Sequence, residues 1–173
     1  MTLSPFDLVV TPQGLRFMNR LHPCTVGRGG VVPAAVKREG DGASPEGMHR
    51  IVGMFYRPDR IAKPNSWAEP IRLTDLWSDD SGDEDYNQLV KAPYAPSHEK
   101  LRRGDPMYDL ILVTDWNWPM ALPGKGSAIF VHQWRGPCAP TAGCIGLSRR
   151  DLHRIAARIE PGSRLIIGPR HVQ

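Results

Sequence analysis

Residues 126–148 read GSAIFVHQWRGPCAPTAGCIGLS. Residues 128–132 (AIFVH) form an apolar, β-prone run, so they predict a strand that ends on His132. The next eight residues carry Gly136, Pro137 and Pro140, the residue types of a loop that doubles back. Thr141-Ala142-Gly143 makes a turn, and Cys144 follows it, twelve positions after the histidine. A strand-end histidine and a turn cysteine become neighbours when the loop between them folds over. A short apolar stretch then leads to Ser148.

Ser148 caps a helix, with Asp151 three positions on as an acidic variant of the capping box. Leu152, Ile155, Ala156 and Ile159 follow the spacing of one buried helical face. Arg149, Arg150, Arg154 and Arg158 fall mostly on the opposite side, and Pro161-Gly162 ends the element. Residues 164–167 (RLII) predict a closing strand. Upstream, residues 108–114 (YDLILVT) predict a central strand and residues 51–56 (IVGMFY) another. Residues 8–10 and 15–17 flank a Thr-Pro-Gln-Gly turn and read as a hairpin. Residues 37–47 (KREGDGASPEG) read as a loop, and residues 57–97, punctuated by five prolines, as mostly irregular chain over a groove. The fold class expected is mainly β, strands first and one helix late.

The 173 residues suit one domain spanning 1–173. Seventeen Gly and seventeen Pro, about a fifth of the chain, fit many short strands joined by turns. No apolar run is long enough for a membrane span, and the first twenty residues show no signal-peptide pattern. From Lys100 onward eleven Lys/Arg stand against five Asp/Glu, while Asp75, Asp79, Asp80, Asp83, Glu84 and Asp85 form an acidic patch. This asymmetry suits either an anionic ligand or an ordinary solvated surface.

Three cysteines, Cys24, Cys138 and Cys144, leave at least one thiol free. His132, Cys138, Cys144 and His153 lack the tight spacing of a structural zinc site, so no metal is expected. Cys24 and Cys138 read as small buried residues, or as a disulfide under oxidising conditions. Cys144 differs from them in its setting. A nearby imidazole makes a thiol into the attacking thiolate and later returns the proton to a leaving amine. The backbone N–H groups of Gly143 and Cys144, with Ala142, stand where an oxyanion would form. Spacing alone leaves a structural cysteine as the commoner reading of such a pair.

The same window resembles the active-site motif of the L,D-transpeptidases of the YkuD type. In that family a strand-end His precedes a Ser/Thr-His-Gly-Cys turn, then a hydrophobic residue and Arg or Asn. Thr141, Gly143, Cys144 and Ile145 match, with His132 as the upstream base. The 37–42 loop, Ser44-Pro-Glu-Gly47, Asp85-Tyr-Asn87, Ser97-His-Glu99 and Tyr108-Asp109 are similar to segments of a small proteobacterial branch. The resemblance runs from about residue 15 to 167. Ala142 and Gly146 depart from it, replacing a His and an Arg or Asn.

The resemblance implies a β-sandwich of mixed sheets with the cysteine at the mouth of a groove. It implies acyl transfer between peptidoglycan stem peptides, donor and acceptor, through a Cys144 thioester without a cofactor. It also implies inhibition by β-lactams of the carbapenem type and, on substrate grounds, a periplasmic site of action. Thr141, Trp134, Tyr56, Arg57 and Asn117 are expected to contact substrate, Arg57 by pairing with a stem carboxylate. Trp116 and Trp118 are further groove candidates, and His98 a groove or turn residue. Two other functions stay open: hydrolysis by the same pair, as an L,D-carboxypeptidase or endopeptidase, and non-enzymatic binding of an anionic polymer by the Arg-rich helix.

Overall fold

A computed structural model describes residues 3–168. Its strands are β1 (Leu8–Thr11), β2 (Gly14–Phe17), β3 (Arg20–His22), β4 (Cys24–Thr25), β5 (Val31–Val32), β6 (Ser44–Pro45), β7 (Gly47–Tyr56), β8 (Glu69–Pro70), β9 (Asp75–Ser78), β10 (Leu89–Lys91), β11 (His98–Lys100), β12 (Leu110–Thr114), β13 (Phe130–Gln133), β14 (Ile145–Leu147) and β15 (Arg164–Ile167). The one α-helix, α1, spans Arg149–Ala156, and a 3₁₀ turn covers Pro106–Tyr108. The main sheet runs β3-β2-β1-β15-β7-β12-β13-β14-β4, with β8 added beside β7. It is mixed: β1 pairs β15 and β13 pairs β14 in parallel, and most other ladders are antiparallel. A three-stranded sheet β10-β9-β11 and the pair β5-β6 complete the set.

All five residues of β12 are buried. Successive side chains leave opposite faces of a strand, so Leu110 and Leu112 join one core and Ile111 and Val113 the other. That two-sided burial explains why residues 110–113 read as an unbroken apolar run. On the first face the sheet packs against Leu152, Ile155 and Ala156 of α1. On the second, Phe130 meets Trp77 of β9 edge-on, ring centroids 5.1 Å apart. The main sheet is thus sandwiched between a helix and a small sheet.

The helix begins as its sequence predicts. The Ser148 side chain accepts the Asp151 N–H at 3.1 Å and donates to the Asp151 carboxylate at 2.8 Å. His22 is buried and holds Asp151 from the other side at 3.2 Å. His49 is buried too, with Nε2 3.2 Å from the Pro45 carbonyl; His171 lies outside the described residues.

Other expectations shift. Residues 57–97 contain β8, β9 and β10, so the stretch is less irregular than its prolines suggest. Residues 37–47 end in β6, and β7 starts at Gly47 rather than at residue 51. Tyr108 belongs to the 3₁₀ turn, which Asp105 caps by accepting the Met107 N–H. No helix among the described residues is long and apolar enough to cross a membrane.

Candidate active site

The site forms where β13, β14 and the turn before β14 meet. Parallel pairing sets His132 opposite Gly146 and Val131 opposite Ile145. Cys144 stands two residues before Gly146, and Phe130 two before His132. By strand alternation Phe130, His132 and Cys144 project from one face, the face of the Trp77 core that Cys144 joins with Phe130 and Tyr108, while Val131 and Ile145 enter the other core. The Tyr108 ring lies edge-on to the His132 ring at 5.2 Å and its hydroxyl donates to Glu99. The Arg103 guanidinium sits 5.1 Å from the centre of the Tyr108 ring. Tyr108 thus lies against the histidine, with Glu99 and Arg103 held on Tyr108. The sequence marked Glu99 by family likeness and Tyr108 by family likeness and strand patterning, and did not mark Arg103; the long chain separation from Cys144 hid their nearness to it.

His132 is 2 % exposed. Its Nδ1 lies 2.8 Å from the Gln133 carbonyl. Burial, helped by the nearby Arg103 and Arg135 charges, pulls its pKa down to about 4, against the Gln133 bond that raises it. The ring is therefore a neutral base at physiological pH.

The Cys144 thiol donates to the Ala128 carbonyl at 3.0 Å and accepts the Phe130 N–H at 3.4 Å. Burial pushes the thiol up to about 12, the Glu99 carboxylate adds to the rise, and the Phe130 amide and Lys37 oppose it. Its own backbone N–H also lies on the sulfur and favours the thiolate. The resting pair is neutral thiol and neutral imidazole, with the thiol turned inward on β13's lead-in rather than onto the ring.

The turn that carries Cys144 is tied on both sides. Thr141 is bridged to Gly27, its N–H donating to Val26 and its carbonyl accepting from Arg28. The Thr141 hydroxyl accepts the Gly143 N–H at 3.1 Å and donates to the Cys144 carbonyl at 2.6 Å. Gly143 takes φ +144°, where a Cβ would come within 3.0 Å of the Ala43 carbonyl and 3.1 Å of Ile129.

This changes several expected roles. The Gly143 N–H is engaged by Thr141, and the Thr141 hydroxyl is engaged within the turn, because the chain must close on itself before Cys144. Ala142 is exposed. Gly146 has no room for the family's larger residue: a Cβ there would lie 2.4 Å from Thr25 Oγ1 and 3.1 Å from Trp134 Cβ. Trp134 is half-buried beside it.

Arg57 is buried and bonded to Asp59 through both Nε and Nη2, at 3.0 and 2.8 Å, with Nη1 on the Arg103 carbonyl at 2.7 Å. The Asn117 amide donates to the Leu122 and Gly126 carbonyls and accepts the Leu122 N–H. Both side chains therefore fasten loops with their polar atoms. Tyr56 is half-buried at the end of β7, opposite Leu110. Trp116 is buried and Trp118 partly exposed; His98 Nδ1 sits 2.7 Å from the Pro96 carbonyl, a turn contact. All three cysteines are free thiols; Cys24 is half-buried, but Cys138 is exposed rather than buried, since it lies on the looping 133–140 segment at φ +65°. A cleft of about 310 Å³ takes Cys24, Gly27, Cys138 and Pro140 into its wall and leaves Cys144 out.

Fold and site together define a class: a mainly β domain with a turn cysteine and a strand-end histidine on one sheet face. Residues 8–167 match the family described as YkuD, L,D-transpeptidase catalytic domain. The chain belongs to that family, whose members act on peptidoglycan, outside the cytoplasm. No curated protein and no solved structure matches it.

Proposed function

We propose that this chain is an L,D-transpeptidase that attacks peptidoglycan stem peptides with Cys144, using His132 as its base, in the periplasm. The observation that carries the reading is the convergence of the thiol, the imidazole and the Cys144 amide on one face of β13 and β14. Turning the thiol off the Ala128 carbonyl frees it for the free ring nitrogen of His132. The imidazole takes the proton as sulfur adds to the donor carbonyl, the amide meets the developing oxyanion, and the imidazolium returns the proton to the leaving D-residue. An amine of a second stem then attacks the thioester and forms the cross-link.

Because both groups are neutral at rest, proton transfer is coupled to attack rather than completed beforehand. A buried neutral thiol is also protected from oxidation between turnovers. Trp134, beside the turn, and Tyr56 are the expected substrate contacts that keep exposed surface. The same nucleophile predicts acylation by carbapenems.

The test incubates the protein with purified disaccharide-tetrapeptide, with Cys144→Ala alongside, and reads products by mass spectrometry. A dimer short of one D-Ala, absent in the variant, is the expected result. Loss of D-Ala without dimer would move the function to hydrolysis, and no Cys144-dependent product would overturn the reading.

A further inference from the structure

The peptide joining Gly143 to Cys144 is trans, so its C=O and N–H point in opposite directions. Its carbonyl end is gripped. The Ser44 hydroxyl donates to the Gly143 carbonyl at 2.7 Å across ninety-nine residues of sequence. The same hydroxyl accepts the Gly27 N–H at 2.9 Å, and the Ser44 N–H donates to the Gly30 carbonyl at 2.9 Å. Ser44 is fully buried, and a hydroxyl that both donates and accepts within the protein has its orientation set. The other end of the peptide, the Cys144 N–H, lies over the Cys144 sulfur. It has no other acceptor among the described residues.

We propose that Ser44 is a positioning residue for acyl transfer: by holding the Gly143 carbonyl from behind, it aims the Cys144 N–H at the oxygen that becomes anionic during attack. The proposal rests on Cys144 being the nucleophile. In that step a C–S bond forms, the carbonyl π pair moves onto oxygen, and the amide donates to the new oxyanion. Collapse restores the C=O and expels the amine, which takes its proton from His132. The Gly143 N–H cannot substitute, because Thr141 engages it. The β5-β6 pair, otherwise remote from the thiol in sequence, thereby gains a role: it fixes Ser44 against Gly27 and Gly30.

Removing an oxyanion donor costs roughly 10²–10³ in kcat; misaiming one that remains is expected to cost about 10–10². The experiment compares Ser44→Ala with wild type in two reactions. One is acyl-enzyme formation from disaccharide-tetrapeptide, followed by rapid-quench mass spectrometry at several donor concentrations. The other is alkylation of Cys144 by iodoacetamide, which displaces iodide and develops no oxyanion, read on the Cys144 peptide. The expected result is an acylation rate at saturating donor lowered about 10–10²-fold, with alkylation and the donor concentration at half-saturation little changed. Acylation close to the wild-type rate, or alkylation slowed by the same factor as acylation, would overturn the proposal. If Ser44→Ala does not fold, Ser44→Cys replaces it, with the weaker S–H donor predicted to slow acylation in the same direction. A wild-type chain that is not acylated by the tetrapeptide would instead sink the transferase reading. The two rates are then taken with p-nitrophenyl acetate, and no Cys144-dependent burst there would overturn the Ser44 role as well.

Discussion

The Nδ1 of His132 donates to the carbonyl of Gln133 at 2.8 Å. A carbonyl only accepts, so the proton of the neutral ring is on Nδ1 and the lone pair is on Nε2. Among the described residues no carboxylate orients this imidazole; the backbone of its own strand does.

A buried neutral histidine makes stability depend on pH. With His132 at about 4 when folded against a reference of 6.5, the unfolded chain binds the extra proton between these values. Stability is therefore present above pH 6.5 and is lost as pH falls toward 4, by about 3 kcal/mol in total from this residue. His49, also lowered by burial, acts in the same direction. Urea midpoints at pH 7 and pH 5 should show the fall, and His132→Gln should flatten part of it. An unchanged slope in that variant would remove His132 as the cause.

Thiol reactivity should divide by burial. Cys138 is exposed, whereas burial raises Cys24 to about 11 and Cys144 to about 12. A thiol-reactive dye at neutral pH should label one site per chain quickly, and Cys138→Ser should abolish that fast phase. Rapid labelling of Cys144 in the substrate-free protein would contradict the inward thiol.

Gly143→Ala places a methyl group against the Ala43 carbonyl and Ile129 at φ +144°. Strain of this kind costs on the order of 1–3 kcal/mol, and relief would turn the Cys144 amide. A lowered melting temperature together with a fall of at least tenfold in acylation is expected. Full activity in a destabilised variant would separate the turn's shape from the chemistry.

Arg57→Ala and Asn117→Ala should harm the fold and spare recognition. The first removes the donor to the Arg103 carbonyl and leaves Asp59 to Arg102 alone, and the second strips the Leu122 and Gly126 groups of their partner, a loss of about 1–3 kcal/mol, or several degrees of melting temperature in a chain of this size. Below that transition, donor KM should stay close to wild type. A large rise in KM for either variant would restore it to the substrate site.

The sequence revealed most clearly what is repeated or locally coded. The 108–114 run and the Ser148 cap were legible because apolar patterning and capping act over a few residues. The β9 strand was not, since only Leu76 and Trp77 mark it and its partners are supplied by β10 and β11. The loop contacts of Arg57 and Asn117 were not foreseen for one reason: a polar side chain reads alike whether it faces a ligand or a neighbouring loop. Ser44 was visible only as part of a family-like segment, because a contact across ninety-nine residues leaves no local trace.

The order in which strands lie in the sheet has a consequence for how the chain is made. β1 has β15 as its neighbour on one side, Leu8 facing Leu165, and β15 in turn separates it from β7. During synthesis the first strand must wait for one of the last before the middle of the sheet can close. Such long-range closure is slow, and in the interval the β1-β2 hairpin and the open edge of β7 are exposed to pairing with other chains. A chain cut just before β15 should therefore accumulate as aggregate rather than as a smaller soluble domain.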